Sequence, residues 1–284
     1  MNNHIQNISW VDAPWLKEHL EEVSILDVQP DIHDYILEHI PGAVYFNENH
    51  LRAFHHNLPS HYIPDQCLQQ LFQSVGLQKN KAVVVYSSNG RFSKQGDGLE
   101  QSMVAYSLAR FGHSNVLVLN GGLKSWIDAG YPLTKEYPNV SASDFHPSLN
   151  SDLFVNYNQF LEIKDSPDTI LIDVRPRSVY QGPGLWEKPG HIPGAKSLPW
   201  RLLMDRDNPR LLRSQSSIKE LVLSRGASPD KNVILYCGTG REATSAFLVF
   251  KYYLNYPRVK LYEGSFTEWV TYSQNPTVTG PKPY

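Results

Sequence analysis

The sequence contains very little cysteine, and this excludes two classes of protein. Its 284 residues include only two cysteines, Cys67 and Cys237. Neither belongs to a Cys-x-x-Cys pair or to a Cys and His spacing that would bind zinc. The sequence therefore predicts neither a disulfide scaffold nor a metal site, and it favours a reducing, cytoplasmic compartment.

An excess of one charge and long apolar segments are also missing. The formal net charge is −2, and no run of Lys or Arg forms the positive patch that binding to nucleic acid or an anionic membrane requires. The apolar runs are far shorter than the roughly 18 residues of a membrane-spanning helix. The polar N-terminus does not resemble a secretory signal. We expect a soluble cytoplasmic protein with no nucleic-acid or membrane partner.

The most informative feature that is present is an internal repeat. When the second half is laid over the first, apolar runs and turn motifs recur in the same order. The matched segments are 25–28 with 171–174, 39–43 with 191–195 (both His-Ile-Pro-Gly-Ala), 83–87 with 233–237, and 116–119 with 259–262. The chain therefore contains two copies of one structural unit.

Each copy alternates short β-branched runs with longer segments of helical periodicity, such as 99–111 and 243–253. This alternation predicts an α/β fold in which each copy forms a mostly parallel sheet with helices on both faces. Residues 138–152 are rich in Pro and Ser and resemble a linker. We therefore predict a first domain over 1–137, a linker over 138–152 and a second domain over 153–284.

The second copy carries a candidate nucleophile at the carboxyl end of a predicted strand, where parallel sheets bind ligands. Cys237 begins the segment Cys-Gly-Thr-Gly-Arg-Glu-Ala-Thr. A Gly-rich turn lets backbone N–H groups converge on one point, and a helix N-terminus favours an anion there. Both effects lower a thiol pKa from its usual value of about 8.5, so we expect a thiolate at neutral pH. The repeat places Ser87 at the matching position, so only the second domain is expected to be chemically competent.

The spacing of this loop and the length of chain after it argue against two other kinds of site. Residues 238–243 fit the Gly-x-Gly-x-x-Ala dinucleotide fingerprint, with Glu263 downstream, but too little chain follows Glu263 to complete a Rossmann unit. A cysteine phosphatase has an Arg six positions after its Cys, and position 243 is Ala. A buried structural cysteine is the remaining alternative.

The repeated Asp and His-Ile-Pro-Gly-Ala segments, with a Cys-Gly-Thr-Gly loop in the second copy alone, resemble the two-domain rhodanese family over about residues 10–269. These are thiosulfate and 3-mercaptopyruvate sulfurtransferases. The resemblance implies transfer of sulfane sulfur to cyanide or a thiol acceptor through a Cys237 persulfide, without a cofactor or metal. The loop that it implies as the persulfide and substrate cradle consists of Gly238, Thr239, Gly240, Arg241, Glu242, Ala243 and Thr244. A noncatalytic rhodanese-like binding module is an alternative, and a protein acceptor is compatible with the resemblance.

The resemblance leaves the donor open between thiosulfate and 3-mercaptopyruvate. A Cys-Gly-Thr-Gly loop followed by a basic residue is similar to bacterial thiosulfate enzymes, which favours thiosulfate. Mercaptopyruvate enzymes place a second Arg shortly after the Asp-x-Arg motif, where this chain has Val179. Arg177 or Lys188 would then bind a carboxylate instead. Arg175 and His56 are further candidates, because His56 aligns with a histidine that the family contributes from its first domain.

Five residues outside the loop are given structural roles. We expect His39 and His191 to orient the turn before the second strand of their domains. Trp126 and Trp269 are expected to close the two cores. Cys67 lies on a predicted helix among apolar residues, so we expect it to be a small core residue.

Overall fold

A computed structural model describes residues 7–55 and 57–284 of the chain. The chain divides into two compact units, which are described separately. Unit 1 contains residues up to Ala53, Tyr62–Asn150 and Asp207–Leu212, and unit 2 contains Phe54–His61, Ser151–Arg206 and Arg213–Tyr284.

Residues 7–55 and 57–150 form helices and strands in alternation. In chain order these are β1 (Asn7–Val11), α1 (Ala13–Glu18), β2 (Ser24–Asp27), α2 (Ile32–Leu37), β3 (Ala43–Tyr45), a 3₁₀ helix (Glu48–Leu51), β4 (Arg52–His55), β5 (Leu58–Tyr62), α3 (Asp65–Ser74), β6 (Val83–Tyr86), α4 (Glu100–Arg110), β7 (Asn115–Leu119) and α5 (Gly122–Asp128). Strands β4 and β5 pair with each other. The other strands form a parallel sheet in the order β1-β7-β6-β2-β3.

The remaining residues repeat this alternation. In chain order they form a 3₁₀ helix (Ser151–Leu153), β8 (Phe154–Val155), α6 (Tyr157–Ile163), β9 (Thr169–Asp173), α7 (Arg177–Gln181), β10 (Lys196–Ser197), a 3₁₀ helix (Trp200–Leu203), α8 (Gln215–Leu223), β11 (Asn232–Tyr236), α9 (Arg241–Leu248), a π-helix (Val249–Tyr253), β12 (Val259–Tyr262) and α10 (Ser265–Thr271). The sheet is parallel, in the order β10-β9-β11-β12-β8. Two parallel sheets flanked by helices confirm the predicted α/β fold.

The central strands explain why these sequences form parallel sheets. Every residue of β6 is buried, and so are Val233–Tyr236 of β11. A strand covered on both faces needs a continuous apolar run, because neither of its faces meets water. The run of β-branched residues in each copy therefore matches a central strand of a doubly covered sheet.

The repeated Trp and His residues hold equivalent positions in the two units. Trp126 and Trp269 are buried in the two hydrophobic cores, which confirms the prediction. His39 is fully buried, with Nδ1 at 2.8 Å from the carbonyl oxygen of Tyr35. His191 makes the same contact with the Tyr180 carbonyl, also at 2.8 Å. Both histidines therefore tie the turn to the preceding helix, as expected.

The prediction that Cys67 is a core residue is wrong. Cys67 lies on α3 but is exposed, with its thiol free. The buried residues of this helix are Leu68 and Phe72, which are four positions apart and so lie on one face. Cys67 falls beside that face because it is one position off the buried stripe.

Within the described part of the chain, no helix combines the length and the apolar character that crossing a lipid bilayer requires.

Candidate active site

Cys237 follows the central strand of the unit 2 sheet, at its carboxyl end. It comes directly after β11, its side chain is fully buried, and its thiol is free. Backbone N–H groups of Thr239, Gly240 and Ala243 donate hydrogen bonds to its sulfur. The loop thus forms the cradle of N–H groups that its sequence predicts.

Two glycines give this loop its shape. Gly240 is the N-cap of α9 and has φ = +85°, a left-handed conformation that residues with a Cβ adopt only with strain. Gly238 leaves room for an aromatic ring, because a Cβ at this position would lie 2.7 Å from Cη2 of Trp186. The loop therefore needs one glycine for its backbone angles and another for a close neighbour.

Trp186 and Thr267 hold the loop from one side, and we call this pair the clamp. Trp186 Nε1 donates to Thr267 Oγ1 at 2.9 Å, and Thr267 Oγ1 donates to the Gly238 carbonyl at 2.8 Å. The backbone N–H of Thr267 reaches the same carbonyl at 2.9 Å. The clamp therefore fixes the orientation of the peptide between Gly238 and Thr239.

Ser265 holds the backbone of Cys237 itself. Its hydroxyl accepts the Cys237 N–H at 3.2 Å and donates to the Tyr262 carbonyl at 2.9 Å. Its φ of +53° is unusual for a residue other than glycine, and such strain costs about 1–3 kcal/mol and persists only where the surroundings impose it. The next residue, Phe266, donates its N–H to the Cys237 carbonyl at 3.0 Å. The start of α10 is thus strained where it grips the candidate nucleophile.

Burial makes the thiol less acidic than the loop alone suggests. The pKa of Cys237 is raised to about 11, mainly because the side chain is buried and secondly because the Glu242 carboxylate is nearby. The N–H groups of Ala243, Thr239 and Gly240 act in the opposite direction but do not compensate. The expectation of a thiolate at neutral pH is therefore wrong. Desolvation of the charged form outweighs the hydrogen bonds that stabilise it.

Arg175 lies beside the site but is not exposed to solvent. It is 1% exposed, and its Nη2 lies 2.5 Å from Asp173 Oδ2 and 2.7 Å from the Gly190 carbonyl. Its guanidinium also stacks on Phe266, 4.0 Å from the ring centre. Its charge is therefore paired with Asp173, while its Nη1 is buried without a hydrogen-bond partner among the described residues, and a role for Arg175 in binding the donor stays a prediction.

The ammonium of Lys188, a predicted carboxylate-binding group, is held by backbone groups. Lys188 Nζ donates to three backbone carbonyls, those of Tyr272, Ser273 and Asn275, at 2.7–3.1 Å. This ammonium anchors its loop to the end of α10, which accounts for its charge without a substrate. His56 lies outside the described residues, so its place in the site stays a prediction.

The rim of the cradle consists of loop residues that the sequence singled out. Thr239, Arg241 and Glu242 are partly exposed, whereas Gly238, Gly240 and Ala243 are buried. Thr244 is buried, and its hydroxyl donates to the Arg241 carbonyl at 2.7 Å.

Sequence reasoning missed Trp186 and Ser265. The sequence does contain a signal for Trp186, which is a longer segment between two repeated motifs. His39 follows Asp27 by 12 positions, whereas His191 follows Asp173 by 18. The insertion that carries Trp186 is therefore present only in the copy with the thiol. Ser265 had no such signal, since a serine before a helix is ordinary and its positive φ cannot be read from the sequence.

In unit 1, an arginine side chain contacts Ser87, the residue that matches Cys237. Ser87 is buried, and Arg210 Nε donates to its hydroxyl at 2.9 Å. Arg210 also donates to the Ser88 carbonyl, and it lies 3.8 Å from the Glu100 carboxylate. A guanidinium thus contacts the hydroxyl that replaces the thiol.

A duplicated parallel α/β unit, in which one copy alone holds a thiol in a cradle of N–H groups, defines a class of tandem proteins with a single reactive cysteine. The sequence profile of the rhodanese-like domain matches residues 12–129 and 156–272. The chain belongs to the rhodanese family.

Several characterised proteins are similar over most of their length. A protein of Synechococcus elongatus named as a putative thiosulfate sulfurtransferase is 36% identical, over 96% of this chain and 86% of its own. A thiosulfate sulfurtransferase of Azotobacter vinelandii is 30% identical, over 85% and 86%. A 3-mercaptopyruvate sulfurtransferase of Escherichia coli is 29% identical, over 92% and 94%. The prediction of an enzyme of the sulfurtransferase class is confirmed at this level.

Solved structures agree with this assignment. The crystal structure of a 3-mercaptopyruvate sulfotransferase from Escherichia coli superposes with a TM-score of 0.78 at 26% identity, over 90% of this chain and 98% of that chain. An anaerobic ergothioneine biosynthesis enzyme from Chlorobium limicola gives a TM-score of 0.81 at 22% identity, over 95% and 70%. The second likeness shows the shared fold alone.

Proposed function

We propose that this enzyme transfers sulfane sulfur from a small donor to cyanide or a thiol acceptor through a persulfide on Cys237, with thiosulfate as the favoured donor. The observation that carries this proposal is the cradle, in which the N–H groups of Thr239, Gly240 and Ala243 converge on the Cys237 sulfur. Such a cradle stabilises negative charge on sulfur, whether of a thiolate or of a persulfide. We also propose that residues 138–152 link a first domain, 1–137, which has Ser87 at the matching site, to a catalytic domain, 153–284, which contains Cys237.

The first half-reaction requires the deprotonated thiol. The Cys237 proton leaves to solvent, and the thiolate attacks the sulfane sulfur of thiosulfate. A new S–S bond forms, the S–S bond of thiosulfate breaks, and sulfite departs with the electron pair. Because the pKa of Cys237 is raised to about 11, only a small fraction is thiolate at neutral pH, and this half-reaction should become faster as pH rises.

The second half-reaction restores the enzyme. Cyanide attacks the outer sulfur of the Cys237 persulfide, a C–S bond forms, and the Cys237 S–S bond breaks. Thiocyanate leaves, and the electron pair stays on Cys237 as a thiolate. The backbone around Cys237 is held during both steps, because Ser265 accepts its N–H, Phe266 donates to its carbonyl and the clamp holds the Gly238 carbonyl.

The donor assignment rests on the rim of the loop and on the relatives. A basic residue, Arg241, follows the Cys-Gly-Thr-Gly segment and is partly exposed, which suits an anionic donor. The alternative is 3-mercaptopyruvate, which the Escherichia coli relative is named for. A protein acceptor is a further option, because a relative from Thermus thermophilus, 29% identical, is named a sulfur carrier protein.

Initial rates with thiosulfate and with 3-mercaptopyruvate, both with cyanide as acceptor, test the proposal. We expect a higher kcat/KM with thiosulfate, and we expect Cys237→Ser to abolish transfer while Cys67→Ser retains it. A preference for the keto acid would overturn the donor assignment alone. Absence of transfer with either donor would favour the noncatalytic binding module.

A further inference from the structure

A concave region of unit 2 shares no lining residue with the Cys237 loop. It is a cleft of about 780 Å³ beside β10, the edge strand of the sheet. Its walls come from α7, from residues 224–226 after α8, and from the C-terminal segment with Pro281 and Pro283. Pockets that bind small molecules have volumes of about 300–1,000 Å³, so the cleft is large enough for a ligand.

The cleft concentrates positive charge without acidic neighbours. Arg177, Lys196 and Arg225 line it, and no Asp or Glu is found among the described residues of its lining. This is unexpected for a chain whose formal net charge is −2. Cations that line a concave surface focus their field into it, whereas cations on a convex surface are screened by water.

A cleft in unit 1 provides the contrast. It has a volume of about 680 Å³ and is lined by both basic and acidic residues. There Arg91 is paired with Glu38 at 2.8 Å, and Lys124 is paired with Asp128 at 2.7 Å. The positive charge of that cleft is therefore largely neutralised within the protein. The cleft of unit 2 has no such internal counterions in its described lining.

Two of the cations of the unit 2 cleft lie against its backbone. Arg225 Nε donates to the Ser197 carbonyl at 3.0 Å, which fixes the guanidinium on the edge strand. Lys196 Nζ lies against Gly226, only 2.9 Å from where a Cβ would stand. The absence of a side chain at position 226 therefore leaves the space that the ammonium occupies.

An unused hydroxyl group and two apolar walls complete the cleft. The Ser197 Oγ is buried and has no hydrogen-bond partner among the described residues, although a buried hydroxyl normally has one. The tail that forms one wall is fixed, because Gly194 donates its N–H to the Pro283 carbonyl at 2.8 Å. Pro281 and Tyr180 add apolar surface.

We propose that this cleft binds a small multivalent anion that carries carboxylate or phosphate groups, at a site separate from that of the sulfur donor. Hydrogen bonds between a cation and an oxyanion are about twice as strong as those between neutral groups. A ligand with two or more negative charges would neutralise the three cations together. This proposal is independent of the chemistry at Cys237.

Isothermal titration calorimetry at low ionic strength, with pyrophosphate and with citrate as probes, tests the proposal. We expect at least one probe to bind. Arg177→Ala and Lys196→Ala should each weaken its binding about tenfold or more, because each removes charge-assisted hydrogen bonds. Arg258→Ala removes one exposed positive charge of the same unit outside the cleft, and it should change binding less than about twofold. Stronger binding of citrate or of pyrophosphate then identifies the anion as a carboxylate or a phosphate.

Two results would overturn the proposal. One is the absence of binding of both probes up to millimolar concentrations in the wild-type protein. The other is equal weakening by Arg258→Ala and by the cleft variants, which would indicate diffuse attraction to the surface. Circular dichroism melting of each variant establishes that it is folded, and Arg177→Lys, which keeps the charge, should retain most of the affinity if the site is real.

Discussion

The two units share a framework but differ in what surrounds the carboxyl ends of the equivalent strands β2 and β9. In unit 1, Asp27 accepts hydrogen bonds from Gln29, with Nε2 at 2.9 Å, and from the Tyr86 hydroxyl. In unit 2, Asp173 instead forms a buried ion pair with Arg175. The pKa of Asp27 is raised to about 7, chiefly by burial. The framework thus tolerates either a neutral amide or a cation, and the cation stands next to the thiol.

The difference is larger at the strand that bears the thiol. Ser87 is contacted by the guanidinium of Arg210, whereas Cys237 is surrounded by N–H groups and held by the clamp. At the start of the helix after the last strand of each repeat, Gly122 has φ = +63° in unit 1 and Ser265 has φ = +53° in unit 2. Both units therefore have a positive φ at this position. Glycine adopts it without strain in unit 1, whereas the serine of unit 2 is strained but supplies a hydroxyl that accepts the Cys237 N–H. Reactivity depends on these surroundings as well as on the thiol.

The comparison between the two units predicts that a thiol moved from position 237 to position 87 does not carry the activity with it. The double variant Cys237→Ser/Ser87→Cys should be inactive, with rates reduced by at least about a thousandfold, because Arg210 contacts the thiol position of unit 1. Initial rates of thiocyanate formation from thiosulfate and cyanide measure this. Ser87→Cys alone should retain the wild-type rate. Recovery of activity in the double variant would show that the position alone, and not its surroundings, decides reactivity.

The buried carboxylates should differ in their contribution to stability. Asp173→Asn leaves the Arg175 charge buried without its partner, so we expect the free energy of unfolding to fall by about 3–5 kcal/mol. Asp27→Asn removes no buried ion pair, and near pH 7 it should change stability by less than about 1 kcal/mol. Urea unfolding of both variants measures the difference.

The pH dependence of these variants checks the same point. Because the pKa of Asp27 is raised to about 7 in the folded protein, its contribution to stability is present below its ordinary pKa and is lost as pH rises to about 7. Asp27→Asn should therefore lessen the decrease in stability of the wild type over this range. Equal slopes for the wild type and Asp27→Asn, or equal destabilisation by both substitutions at pH 7, would contradict the comparison.

A larger side chain at position 238 tests whether the close contact between the loop and Trp186 matters for activity. Gly238→Ala should lower kcat/KM roughly tenfold to a hundredfold, because the new Cβ would meet Trp186 and displace the loop. Gly182→Ala is the matched control, since a Cβ there meets nothing within 4 Å. Adding Trp186→Phe to Gly238→Ala should restore part of the activity by making room. If the double variant were no better than Gly238→Ala, the clash with Trp186 would not be the cause.

The smallest effect concerns the acidity of Cys237. In a Cys67→Ser background, alkylation of Cys237 by iodoacetamide should accelerate up to about tenfold per pH unit between pH 7 and 10, because the pKa of its thiol is raised to about 11 and only the thiolate reacts. Glu242→Gln removes one cause of the raised pKa, so alkylation at pH 8 should become a few-fold faster. Glu162→Gln, an exposed residue on α6, should have no effect. A plateau below pH 8 would show that the thiol ionises at neutral pH after all.

Much of the fold could be predicted because the same series of segments occurs twice in the chain, so each copy supports the assignment of the other. Each apolar run recurs with the same motif behind it, so random matches are unlikely to preserve the order of four segments. The predicted helix over 243–253 is an α-helix only to Leu248, followed by a π-helix over Val249–Tyr253. Apolar periodicity did not reveal this change of winding.

The site was predicted less completely, because burial is a property of the folded chain. The Gly-rich loop correctly predicted the N–H groups around Cys237, but not the desolvation that outweighs them. Arg175 and Lys188 could be named as cations near the site. Asp173 stands only two positions before Arg175, but the distant partners, the Gly190 carbonyl and the carbonyls after α10, become neighbours only when the sheet and its loops assemble. Sequence spacing identifies candidate residues, and tertiary contacts decide which of them face a substrate.

The most direct test of the account is the mass of the Cys237 peptide after exposure to thiosulfate without an acceptor. Once excess donor has been removed, proteolysis and mass spectrometry should show a gain of one sulfur atom on the peptide that contains Cys237, and cyanide should remove it. The peptides with Ser87 and Cys67 should be unchanged. An unmodified Cys237 peptide in an enzyme that turns over, or sulfur found on Cys67 instead, would contradict the central claim.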